Sequence, residues 1–213
     1  MKPAGNDIVD LNAPHAKEKS RHARYVDRIL TDEEKYALVE SDCPDDMLWM
    51  FWTAKETALK VVRKIDGTVH AIPGKYRCRL GRTEGWVSGV VHTPVKDVRV
   101  AIRHGENYLH CIGTLSPHHP ERELVYGVHQ LYTSEDATYD CSSDEASEYV
   151  RTMVKNRVTG YLSGDDGEVM ITSHTSKEWR GFPEVMVNGR RVAVDLSLSH
   201  DGRYVAYAFY PGK

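Results

Sequence analysis

Asp46-Met-Leu-Trp-Met-Phe-Trp-Thr-Ala-Lys-Glu-Thr-Ala-Leu-Lys60 is the stretch around which the rest of the chain is arranged. At helical period Leu48, Phe51, Trp52, Ala58, Leu59 and Val62 form one wide apolar stripe, the pattern of a core helix. Asp45 and Asp46 suit its N-terminal end, Arg63 and Lys64 its C-terminal end, and Gly67 lies just past the expected stop. The middle breaks the pattern. Lys55 falls inside the stripe and Glu56 beside it, with Trp52 one turn before and Lys60 one turn after. Charged groups at the margin of a buried face are costly unless a partner or a metal compensates them. Spacing alone reads as an exposed Glu56–Lys60 pair and a Lys55 stem that snorkels outward. The remainder of the chain argues against that plain reading.

A chain of 213 residues can bury a large core and holds one domain, or two closely joined halves. Its net charge of −3 implies no general attraction to nucleic acid or to an anionic membrane. Apolar runs are only a few residues long, which excludes a transmembrane helix, and the N-terminus lacks the apolar core of a secretory signal. Cys43, Cys78, Cys111 and Cys141 are scattered, with no Cys-x-x-Cys pair. They read as reduced thiols of a cytoplasmic protein rather than as a disulfide framework or a zinc site.

Gly5-Asn-Asp-Ile-Val-Asp-Leu11 is strand-like, with Asp7, Val9 and Leu11 on one face and Ile8 and Asp10 on the other. An aspartate sharing a face with Val9 and Leu11 is unusual unless it binds something. His15 to Arg28 is a basic segment expected to be helical, and Thr31-Asp-Glu-Glu34 has the form of a capping box opening a helix through about Glu40. Beyond Gly67 the segments 75–80, 85–91, 95–103 and 108–115 read as strands of a meander, and a further strand is expected over 124–132. An acidic loop, Ser134 to Glu148, leads into a helix from about Ala146 to Leu162. Segments 169–173, 184–187, 192–199 and 204–210 are expected strands, with an Asn188-Gly189 hairpin and a polar hairpin at Ser199-His200-Asp201-Gly202. Ser and His beside a glycine turn can present hydroxyl, imidazole and backbone donors to an anion. A serine-protease relay is excluded, because neighbouring strand residues point to opposite faces. The histidines of the middle region, His118, His119 and His129 among them, lack metal-ligand spacing.

Gly-x-Asp-Ile-Val near the N-terminus, Trp-x-x-Lys-Glu-x-x-x-Lys on the helix and a C-terminal Ser-x-Ser-His-x-x-x-Tyr-x-Ala-x-Ala together resemble the 4′-phosphopantetheinyl transferase superfamily. Gly181-Phe-Pro183 is similar to the Gly-x-Pro that precedes the Ser-His strand there. The motif order is similar to the holo-acyl-carrier-protein synthase branch, while the length is nearer the larger, pseudo-dimeric members. The matching blocks cover about a third of the chain, and residues 74–165 carry none of them.

The resemblance implies an α+β fold of two similar halves, each a small antiparallel sheet with a long helix across it, divided near residue 105. It implies an enzyme that moves the phosphopantetheine arm of coenzyme A to a serine of an acyl or peptidyl carrier protein. By motif match, Asp7 and Glu56 would be ligands of Mg²⁺, a hard cation suited to a few carboxylates and phosphate oxygens. Larger members often carry a third acid where this chain has Val9, and Asp10 points to the other face. Lys60 is placed to hold the pyrophosphate, Lys55 either assists or is structural, and Ser199 and His200 resemble the pair on the ribose 3′-phosphate. Glu56, or a metal-bound water beside it, is the candidate base. Lys17, Arg21, Arg24 and Arg28, on one helical face, would dock the acidic carrier. Two alternatives stand beside it: a non-catalytic module that binds coenzyme A or the carrier, which the missing third acid favours, and a different Mg²⁺-dependent phosphate enzyme such as a phosphohydrolase.

Overall fold

A computed structural model describes residues 2–131, 142–162, 167–176 and 179–211. Cys141 and most of the expected acidic loop lie outside the described residues. The chain is α+β. Its first part runs β1 (Ala4–Asp10), α1 (Ala23–Ile29), α2 (Asp32–Val39), α3 (Pro44–Arg63), β2 (Arg77–Thr83), β3 (Trp86–His92), β4 (Val98–His104) and β5 (Tyr108–Thr114). The strands form one five-stranded antiparallel sheet in the order β1-β5-β4-β3-β2.

The helix expected from the central stretch is α3. Pro44 sits in its first turn, where the missing N–H is no loss, and Asp45 and Asp46 follow at the positive end of the dipole. Leu48, Phe51, Ala58, Leu59 and Val62 are buried as the periodicity requires, against Val100, Ile102 and Leu109 of the sheet. β1 comes so close to α3 that a Cβ on Gly5 would stand 2.5 Å from the Thr57 carbonyl oxygen. The Thr31–Glu34 capping box is present in both directions and opens α2.

The second part runs α4 (Pro120–Glu123), β6 (Val125–Gln130), α5 (Ser143–Thr159), β7 (Val169–Ser176), β8 (Trp179–Val187), β9 (Arg190–Arg191), β10 (Asp195–Asp201) and β11 (Tyr204–Tyr210). It makes two three-stranded antiparallel sheets, β10-β11-β6 and β7-β8-β9. α5 opens on a second capping box, Ser142 with Glu145, and buries Ala146, Val150, Val154 and Val158, one residue per turn, against Leu196, Val205 and Phe209. Asn188 and Gly189 both have positive φ, 49° and 74°, as a tight hairpin turn demands.

β1 is the strand on which the two parts meet. Its odd residues face α3, while Ala4 and Ile8 pack with Ala208, Tyr204 and Ala206 of β11. Among the described residues the side of β1 away from β5 has no partner strand, yet its N–H groups are covered and need acceptors. β10 supplies them from side chains at period two. Asp195 Oδ1 accepts from Ala4 N at 2.8 Å, Ser197 Oγ from Asn6 N at 3.0 Å and Asp201 Oδ2 from Asp10 N at 2.9 Å. Lys64 adds a clamp, donating to the Ala4 carbonyl of β1 and to Asp195 and the Leu196 carbonyl of β10.

Four expectations are corrected. Only Ala23–Ile29 of the basic segment is α-helical; Lys19–Arg21 is a single 3-10 turn and Lys17 precedes it, because Asp45 draws the loop in by accepting from the N–H groups of Glu18 and Ser20. Lys17, Arg21, Arg24 and Arg28 therefore share no single helical face. Ser199 and His200 lie within β10, and the turn falls at Gly202-Arg203, where a Cβ on Gly202 would meet the Asp10 carboxylate at 2.6 Å. The expected strand 192–199 is shifted to Asp195–Asp201 by its pairing with β11. A division near residue 105 would cut the β4–β5 hairpin, since β5 pairs with β4 and β1; the chain leaves the first sheet after Thr114.

Candidate active site

Trp52, Glu56 and Lys60 succeed one another at four-residue spacing along α3, forming the half-exposed border of an otherwise buried helix. The odd face of β1 brings Asp7 against this border. Lys60 Nζ donates to Asp7 Oδ1 and to the Asn6 carbonyl, both at 2.8 Å, and keeps 30% of its side chain exposed. Lys60 is thus the partner of Asp7 rather than of Glu56.

The charges do not balance. Burial raises Asp7 above the usual carboxylate range, and Lys60 only partly offsets it. Burial and the neighbouring Asp7 push Glu56 up to about 7, against the weaker pull of Lys60 and Arg63. Among the described residues Glu56 accepts no hydrogen bond. Two adjacent carboxylates, one of them without a partner, are an all-oxygen donor set with charge to spare, which suits a hard divalent cation. No group of three or more potential ligands occurs among the described residues, so the pair stands without a third acid.

Lys55 is somewhere else. Its ammonium is fully buried and donates to the Ile29 carbonyl at 2.7 Å and to Glu34, whose other oxygen accepts from Cys78 N at 2.7 Å. These bonds hold α2 and β2 to α3, and the structural alternative for Lys55 is the one observed. Ser199 is also buried, its Oγ against Asn6 Oδ1 at 2.5 Å, and the same oxygen faces His110 Nε2 at 3.3 Å. His200, next along β10, is exposed, and its positive charge when protonated favours ionised Asp7. Asp10 faces away from Glu56 as expected and is occupied by Arg203, which approaches it through backbone N, Nε and Nη2 and holds its carboxyl below the ordinary range.

The basic segment reaches this border from the N-terminal side. Tyr25 of α1 lies 6.2 Å from Trp52 between ring centres, Arg28 covers the Tyr25 ring at 5.4 Å, and the Glu56 charge helps to raise the Tyr25 phenol. At the other end of the stripe a cavity of about 390 Å³ is lined by Lys64, Phe182, Pro183, Arg191 and Asp195. Sequence reading missed His110, Asp195, Ser197 and Arg203. The signal for two of them, Asp195 and Ser197, was the period-two run of polar residues Asp195, Ser197, Ser199 and Asp201, which marks one strand face turned to something polar.

No curated protein matches the chain. A family model does, over a segment that contains Asp7, Lys55, Glu56, Lys60 and the whole basic loop. Residues 3–73 match the model of the 4′-phosphopantetheinyl transferase superfamily.

Proposed function

We propose that the chain transfers the 4′-phosphopantetheine arm of coenzyme A to a serine of an acyl or peptidyl carrier protein, releasing adenosine 3′,5′-bisphosphate. The observation that carries this reading is the meeting of Asp7, Glu56 and Lys60 at one border of α3, all inside the matched segment. Mg²⁺ bound to Asp7 and Glu56 would offset the charge of the pyrophosphate and polarise its phosphoryl oxygens. Lys60 presents a point charge to the same phosphates. Glu56, or a water held beside it, would take the proton of the carrier serine as its oxygen bonds to the β-phosphorus and the bond to the bisphosphate breaks. The cavity beside Lys64 and Pro183 fits the nucleotide end of coenzyme A, lying along α3 beyond Lys60. We assign His200, exposed on β10 near Asp7, to its phosphates, whereas the Ser199 hydroxyl donates to Asn6. Arg24 and Arg28, one turn apart on α1, with Lys17 and Arg21 in the loop before it, supply the basic surface for the carrier.

Incubation with coenzyme A, Mg²⁺ and an apo carrier protein tests the reading. A mass gain of one phosphopantetheine on the carrier, lost with excess chelator and restored by Mg²⁺, is expected. Binding of coenzyme A with no transfer to any carrier would make the chain a non-catalytic binding module instead.

A further inference from the structure

We propose that the segment joining α3 to β2 is a second face of the carrier dock, in which the exposed Ile72 and Lys75 receive an apolar side chain flanked by carboxylates on the carrier protein. The inference rests on the transfer reading and adds to it the chemistry of the partner's contact surface.

The segment is tied down at both ends. Arg63 Nε, in the last turn of α3, donates to the Val69 carbonyl at 2.9 Å. At the far end Tyr76 is buried in the core of the first part, and its hydroxyl donates to the His70 carbonyl at 3.3 Å. Between these ties Pro73–Lys75 makes a single 3-10 turn, with Lys75 N donating to the Ile72 carbonyl at 2.9 Å. Gly74 lets the turn rest on the end of α1, since a Cβ there would stand 3.2 Å from the Arg28 carbonyl oxygen. The turn and α1 therefore adjoin. Together they border the candidate active site, for the Glu56 charge reaches both Tyr25 of α1 and Tyr76 at the end of the segment.

Charge and exposure select the occupant. Arg24, Arg28 and Lys75 are exposed, and among the described residues none of them forms an ion pair. Asp27, the one acid of α1, is turned to Lys35 at 2.8 Å and leaves the arginines beside it unneutralised. Ile72 is 43% exposed. A lone exposed isoleucine is ordinary, but this one opens a turn that is fixed at both ends and seated against the helix carrying Arg28. An apolar group already held in place gives up little freedom when it is covered. The cations on either side favour a partner with carboxylates and repel a basic one. A second copy is a poor occupant, because a two-fold contact would set this same patch of cations against itself.

The test reads docking without transfer. The full chain, ¹⁵N-labelled and free of coenzyme A, is titrated at low salt with an apo acyl and an apo peptidyl carrier protein, each with its acceptor serine replaced by alanine. One of the two is expected to shift the Ile72 and Lys75 amides saturably, with the same Kd as the Arg24 and Arg28 amides. Lys75→Glu and Ile72→Ser should each weaken that binding roughly fivefold, Lys75→Arg should restore it, and coenzyme A affinity should hold in all three. Shifts confined to α1, or an unchanged Kd in Lys75→Glu, overturn the proposal and leave the transfer reading standing. No saturable shift with either carrier up to about 1 mM overturns it as well. Failure of the transfer reading looks different: the carrier docks on this surface, yet with its serine intact it gains no phosphopantetheine from coenzyme A and Mg²⁺.

Discussion

Burial pushes His110 down to about 3, and the charge of Lys60 adds to the effect, so the imidazole is neutral in the fold while its unfolded counterpart titrates near 6.5. Between those values the unfolded chain binds the extra proton, and stability falls as pH falls. From pH 7.5 to pH 5 this one group costs about 2 kcal/mol by linkage. Glu56, raised to about 7, works the other way, so the comparison is between proteins that share it. His110→Gln keeps a donor for Asn6 and should lack the acid loss, which urea midpoints at the two pH values will show; equal losses in both proteins would contradict the assignment. Lys60→Ala removes the ammonium bonded to Asp7, and coenzyme A binding should weaken tenfold or more, roughly the loss of one charge-assisted contact, as calorimetry can measure. An unchanged affinity would place the pyrophosphate elsewhere.

At the scale of elements, the buried Lys55–Glu34 pair ties α2 to α3. Lys55→Met should destabilise the protein by about 3–5 kcal/mol, since Glu34 stays buried without its cation, and should leave the coenzyme A affinity of the folded protein unchanged. A weakened affinity with no stability loss would return Lys55 to the binding site. α3, the Thr31–Glu34 box and the Asn188-Gly189 turn were legible in the sequence because each is decided within a few residues by periodicity, a cap or a positive φ. The basic segment was misread because Asp45, far along the chain, fixes its loop. The same holds for β10. Ser199 and His200 were read as part of a turn, whereas they lie in a strand whose Asp195, Ser197 and Asp201 answer the open edge of β1, a need that exists only once the two parts are packed.

In the whole molecule, Asp7 and Glu56 were legible as anomalies, charged groups set on apolar faces, and the structure brings them to one border. What could not be read was how the ends of the chain meet there, for Ser199, Asn6 and His110 join β10, β1 and β5 through one buried node. The basic surface beside Trp52 now rests on α1. The double reversal Arg24→Glu with Arg28→Glu should raise the KM for carrier protein roughly tenfold at low salt, through a slower association that recovers little at high salt because screening already weakens the wild type. Coenzyme A affinity should hold. A carrier KM equal to that of the wild type at low salt would move the dock away from α1. The most direct test of the account is the transfer rate of Glu56→Gln to an apo carrier, followed by intact mass with coenzyme A and Mg²⁺ saturating. The account predicts a rate lower by roughly 10²–10⁴-fold in a protein that still folds and still binds coenzyme A; transfer at close to the wild-type rate would contradict it.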